Sequence, residues 1–152
     1  MKIEDDVATV LEREAQSTIA YWLSCVDAEP EIITVPLSAE DRTAHLPEIL
    51  HDLVTRLRNP LPLGTRALTS DSAHDHGCLR REQGYSPAMM VEESRMLQVS
   101  IFRTLQTHLE SLDMNVVLED VMTIADEVDS QLAQAMVSYM FEANADAQLI
   151  ET

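Results

Sequence analysis

Three polar residues near the middle of the chain have spacings that suit a built site: His76, Arg80 and, past a corner, Glu93. His76 and Arg80 are four residues apart and share one face of a helix. Glu93 falls two turns into the helix that follows. A hairpin at Gly84 returns the two helices along each other, so Arg80 meets Glu93 or Glu92. A guanidinium fork suits a carboxylate partner. Such a pair fixes the hairpin as a structural ion pair, or lines a site for a ligand or a signalling contact. Nearby, His74-x-His76-x-Cys78 has the look of a metal cluster. On a helix, however, only His74 and Cys78 share a face. His45 and His51 are six apart and poorly aligned, and neither CxxC nor HExxH occurs, so no metal is expected. His76, His108 and His51 are the candidates for a haem ligand, and their spacing selects none of them. Cys78 near His74 and His76 lacks an identifiable third group or oxyanion donors. Nucleophile elbow, phosphate loop and dinucleotide turn are missing from the sequence, so catalysis is not expected.

The elements that must hold these residues are helices. Gly84 suits the left-handed residue that closes one helix. Ser86 caps the next, with Pro87 at its first position. Five helical segments are predicted. The first runs from about Ile3 to Val26, with Ile3, Val7, Val10, Leu11, Ile19, Trp22 and Leu23 at helical spacing. A loop from Asp27 to Leu37 is broken by Pro30 and Pro36. Ser38 with Asp41 three residues later is a capping signal. Pro47 places the main second helix from near His45, after a short turn. Asn59–Gly64 is a loop. The third helix covers about Asp71 to Gln83, with Gly77 a weak spot. The fourth covers Pro87 to about Ser111. The fifth starts at Asp113 or Asn115 and reaches about Ala145. In it, Leu118, Val121, Ala125, Val128, Leu132, Ala135 and Tyr139 alternate at four and three residues, a heptad seam.

Length and composition agree with this reading. The 152 residues suit a single all-α domain spanning 1–152, long enough to bury a core without staples. With three glycines, few aromatics and eight methionines, helices are favoured over a β-sandwich or barrel. The formal charge of −17 disfavours nucleic acid and anionic membrane surfaces as partners. After Arg103 there is no Lys or Arg at all, while ten acids follow. The acidity serves solubility or a basic partner. No apolar run spans a bilayer, and no signal-peptide core is present. Cys25 and Cys78 make no disulfide framework, so a cytoplasmic protein with reduced thiols is expected.

The segment His76-x-x-x-Arg80-x-x-x-Gly84-Tyr85-Ser86, then Met90-Val91-Glu92-Glu93 with Leu97 and Ile101 beyond, resembles the N-terminal domain of the RsbR/RsbRD co-antagonists of the bacterial stressosome. That domain type also precedes some bacterial sensor histidine kinases. Arg42-Thr43-x-His45-Leu46-Pro47-Glu48-Ile49-Leu50-x-x-Leu53 and Ile19-x-x-Trp22 fit the same pattern, in the same order. The resemblance implies a globin-like all-α bundle that usually lacks haem, a dimer packed through its helices, and a sensory or docking role without catalysis. It carries over His76, Arg80, Gly84 and Glu93 as signature residues. Two positions depart from it: Ser94 stands where Tyr is frequent, and Gln98 where a basic residue is frequent. Family members usually continue into a STAS domain or kinase module. Here the chain ends at Thr152, so it works alone by contact or belongs to a longer sensor.

The expectation is therefore a non-catalytic sensor or adaptor with no cofactor. It would form a homodimer through residues 118–145 at Val121, Val128, Leu132, Ala135 and Tyr139, and dock a signalling partner. The alternative is a small-molecule- or haem-binding globin-like sensor.

Overall fold

The computed structural model describes residues 4–64 and 70–151. It is an all-α bundle with a long C-terminal helix. Helix α1 is Val7–Arg13, α2 Ala15–Asp27, α3 Pro30–Ile33, α4 Ala39–Thr43, α5 Leu46–Arg58, α6 Asp71–Gln83, α7 Pro87–Thr107 and α8 Met114–Glu151. A 3-10 turn, Leu109–Ser111, joins the last two. Among the described residues there is no strand, only an isolated bridge between Asp5 and Leu112.

Where local chemistry is strong, the predicted ends hold. Ser38, Ser70 and Ser86 each accept a backbone amide three residues on, satisfying donors that the first turn leaves free; Asp6 does the same for α1, which begins at Val7, past the predicted start. Gly84 sits at φ 94°, the left-handed conformation that lets α6 stop and the chain reverse. Pro47 lies in the first turn of α5, where its missing amide costs nothing.

Four predicted elements differ. The first helix is broken at Glu14 rather than continuous, and Ile3 lies outside the described residues. Ser17 Oγ and Thr18 Oγ both donate to the Glu14 carbonyl, at 3.0 and 2.9 Å, and such back-bonding bends a helix. The predicted loop from Asp27 contains the single turn α3, which Pro30 starts and buried Ile32 holds down. α7 ends at Thr107, before the predicted Ser111, and α8 runs from Met114 to Glu151, past the predicted Ala145.

The core centres on Trp22, Leu11, Leu46, Leu53, Ile101 and Ile124, all fully buried. α6 lies along α8, α1 packs on α5, and α2 and α8 both pack on α7. This arrangement corrects the seam. Val128 and Ala135 are 3% and 2% exposed and Tyr139 is buried as well, packed against the chain's own core. Val121 is half-buried against that core, and Leu132 lines an internal cavity. From Val121 to Tyr139 the heptad positions face inward because α6 and α7 need an apolar face from α8, and a stripe used there is not free for a second subunit. Of the predicted seam, Leu118 alone stays in solvent, 70% exposed, and the apolar residues that α8 exposes beside it include Met122, Val137 (68%), Met140 and Phe141 (71%). No helix among the described residues is long and apolar enough to cross a membrane.

Candidate functional site

At the junction of α4, α6 and α7 the chain buries two guanidinium groups, a phenol and a carboxylate in one network. Arg80 and Glu93 meet as the hairpin predicts, with Nε 3.1 Å from Oε1. Glu92 instead pairs with Arg95 on the surface. The other Arg80 nitrogens donate to Gln83 Oε1 and to the Arg42 carbonyl, each at 2.7 Å. The second Glu93 oxygen accepts from the Tyr85 hydroxyl at 2.7 Å. That hydroxyl accepts in turn from Arg42 at 2.5 Å, and Arg42 also donates to the Val35 carbonyl. The Arg80 guanidinium lies 4.5 Å over the Tyr85 ring. Tyr139 donates to the Tyr85 carbonyl and Trp22 to the Glu93 carbonyl, so α8 and α2 are tied to the same corner. Burial pushes the Glu93 carboxyl up from its ordinary range, opposed chiefly by Arg80 and the Tyr85 hydroxyl. Burial and then the Glu93 charge push the Tyr85 hydroxyl up.

Beside this network His45 and His76 stack, ring centroids 3.8 Å apart and planes 12° from parallel. Trp22 meets His45 edge-on. His45, at the start of α5, and His76, on α6, are half-buried and line a cavity of about 40 Å³ between α5, α6, α7 and α8. Burial holds His76 down to about 3, with Arg80 adding to it. The same cause, then His76 and Arg80, holds His45 well below its ordinary value. Both rings are neutral near pH 7.

A pH dependence of stability follows. An unfolded histidine binds its proton below about pH 6.5, whereas the folded His76 does not until about 3. The stabilisation is complete above pH 6.5 and is lost as pH falls toward 3. Glu93, raised in the fold, acts in the opposite sense from its raised value down to 4.5. Between pH 7 and 5 the unfolding free energy falls by up to about 1.4 kcal/mol per pH unit for each histidine. Urea denaturation at pH 7, 6 and 5 measures it, and His76→Phe flattens the curve; identical curves for both proteins would contradict the account.

His45, His76 and Glu93 place one ligand atom each within 4.8 Å of one another. Ring orientation argues against a shared cation: the stacked imidazoles hold their in-plane lone pairs in two near-parallel planes, with centroids 3.8 Å apart, so no ion can lie in both planes at once. Both Glu93 oxygens are also engaged, and Arg80 and Arg42 outnumber the carboxylate. Haem fits no better. Its pocket would need several hundred Å³, roughly the 300–1,000 Å³ of ligand sites, and this cavity has about 40 Å³. Of the other haem candidates, His51 is exposed on α5 and His108 ends α7, with Nδ1 2.9 Å from the Thr104 carbonyl. His74 and Cys78 do share a face, at 4.0 Å, with Glu142 3.9 Å from the thiol.

His76, Arg80 and Glu93 therefore come together, and Gly84 supplies the reversal that lets them. The sequence reading missed the partners: Trp22, Arg42, His45, Tyr85 and Gln131. A signal existed for the first four, since they lie in the segments that carry the family resemblance. Gln131 gave none. It sits on the inward stripe of α8, 4% exposed, and among the described residues both its side-chain polar atoms lack a partner, as does His76 Nδ1. An unmet buried polar atom costs about 1–3 kcal/mol. Gln98 and Ser94, the departing positions, lie at the edge of this region: Gln98 donates to Asp129 on α8 at 2.9 Å, and half-buried Ser94 lines the cavity. In comparisons with known proteins, no family model, curated protein or solved structure matches this chain.

Proposed function

We propose that the chain is a non-catalytic sensor or adaptor domain of bacterial signal transduction, of the kind found at the N-terminus of RsbR/RsbRD co-antagonists, acting in the cytoplasm through protein contacts and helix repacking. One observation carries this reading. Trp22, Arg42, His45, His76, Arg80, Tyr85 and Glu93 come from three separate stretches that resemble that family, and they converge on one buried corner beside one cavity. Residues with a shared role are expected to converge in this way.

The route from cavity to surface is α8. Its Val128, Gln131, Leu132 and Ala135 form one cavity wall, while its later residues Met140, Phe141, Leu149 and Ile150 are exposed. A change in the cavity that shifts one wall therefore moves a helix whose far end is open to partners. The homodimer belongs to the outward face of α8, at Leu118, Met122, Val137 and Phe141.

Light scattering at micromolar concentration tests the dimer. Leu118→Glu with Val137→Glu is expected to give monomers with unchanged helicity, and a wild-type monomer would sink the dimer. Because α8 is acidic and carries no Lys or Arg, added salt screens repulsion between two copies and tightens the association. Amide hydrogen exchange tests the relay: His76→Phe should alter protection in the second half of α8, and unchanged α8 protection would remove helix repacking from the account.

A further inference from the structure

Around the cavity, the polar atoms that have no partner define a ligand. His76 Nδ1, Gln131 Nε2 and Gln131 Oε1 are buried and have no partner among the described residues, and both residues line the same cavity. Gln131 is more than nine-tenths buried, at 4% exposed. Its amide offers a donor and an acceptor side by side, and the complement of that pair is an acceptor beside a donor. The volume of about 40 Å³ holds roughly three water-sized groups, at about 10–15 Å³ each. Charge is excluded from both directions. Among the described residues no Lys or Arg lines the cavity to receive an anion, and the Arg80 nitrogens are all engaged inside the protein. A cation meets near-parallel imidazoles and the excess positive charge of Arg42 and Arg80. Met90, Leu97 and Val128 supply apolar walls.

We propose that the cavity between α5, α6, α7 and α8 binds a neutral molecule of about three or four heavy atoms that presents a hydrogen-bond donor beside an acceptor, the primary-amide class, held by Gln131 and His76. The inference deepens the sensor reading by naming the chemistry of its signal. It also stands apart from that reading, because binding is measured at the cavity, whereas oligomeric state and α8 exchange measure signalling.

Trp22 is the only tryptophan of the chain, lines the cavity and donates to the Glu93 carbonyl, so its emission reports occupancy. Acetamide is the probe, titrated into the full chain through the millimolar range at pH 7. A saturable change in Trp22 emission is expected. Gln131→Met keeps the side-chain volume and removes both hydrogen-bonding atoms, and it should weaken binding by about tenfold or more. His76→Phe should weaken it several-fold, with far-ultraviolet circular dichroism unchanged in both variants. If Gln131→Met fails to fold, the His76→Phe titration carries the test. A linear, non-saturating response that is the same in wild type and variant would overturn the proposal and leave ordered water as the partner of these atoms. So would equal binding of a much larger tertiary amide, or a tetrahedral visible spectrum on adding cobalt(II) alone.

Discussion

Glu93→Leu is expected to lower the unfolding free energy by about 3–5 kcal/mol, because it strands buried Arg80 and Arg42 without the one carboxylate that joins their network among the described residues. The loss is large beside the total stability of a domain, about 5–15 kcal/mol. It includes more than one ion pair. The Tyr85 hydroxyl loses its acceptor, and through Tyr85 the network reaches Arg42 on α4 and Tyr139 on α8. Glu93→Gln keeps the shape and an acceptor but removes the charge, and it should cost less. Arg80→Met combined with Glu93→Leu removes both charges and should recover a good part of the single-variant loss, since replacing a whole buried pair with apolar groups is often nearly neutral. Urea denaturation of the three variants reads the effect. A loss below about 1 kcal/mol for Glu93→Leu would place the pair among surface-like bridges and remove it as the lock of the hairpin.

Gly77→Ala should also be severe, at about 3 kcal/mol or more, although helix propensity alone predicts a gain of roughly 1 kcal/mol. A Cβ at Gly77 would stand 2.1 Å from the Ala135 carbonyl oxygen and 2.2 Å from Ser138 Oγ. The first of these is backbone and cannot rotate away. α6 and α8 would have to part along the length where they pack most closely, carrying His76 away from Gln131. Ser138 Oγ also donates to the His74 carbonyl at 2.8 Å, a second tie across this contact. Adding Ser138→Gly relieves the hydroxyl clash but leaves the carbonyl, so rescue should be partial at most. Thermal melts of the single and double variants are sufficient, and a Gly77→Ala protein as stable as wild type would show that the two helices are not locked at this spacing.

Gly77 marks the boundary between what is legible in a sequence and what is not. As a residue in a chain, it reads as a weak point of the third helix. That is true of an isolated helix, where a glycine adds only backbone entropy. Its value lies in the absent side chain, which lets another helix approach, and that partner is far along the chain. The same holds for the α8 stripe. Its period shows that Val128, Leu132, Ala135 and Tyr139 lie together, but a period does not say what covers them. The fold puts them against α6 and α7, and the outward face goes to Leu118, Val137 and Phe141.

By itself the sequence determined the all-α class, most helix ends, the Gly84 corner and the meeting of Arg80 with Glu93 or Glu92; the fold chose Glu93. These rest on interactions within a few residues or across one tight turn: a serine accepting a nearby amide, a glycine at positive φ, two side chains one helical turn apart. Tertiary structure alone decided that His45 stacks on His76, that Arg42 and Tyr85 complete the carboxylate's shell, and that Gln131 enters the same cavity unpartnered. Apart from the Tyr85–Glu93 bond, which spans eight residues, those contacts join residues tens of positions apart. Their cost or benefit depends on burial and on the geometry of helices crossing, and neither is written in local spacing.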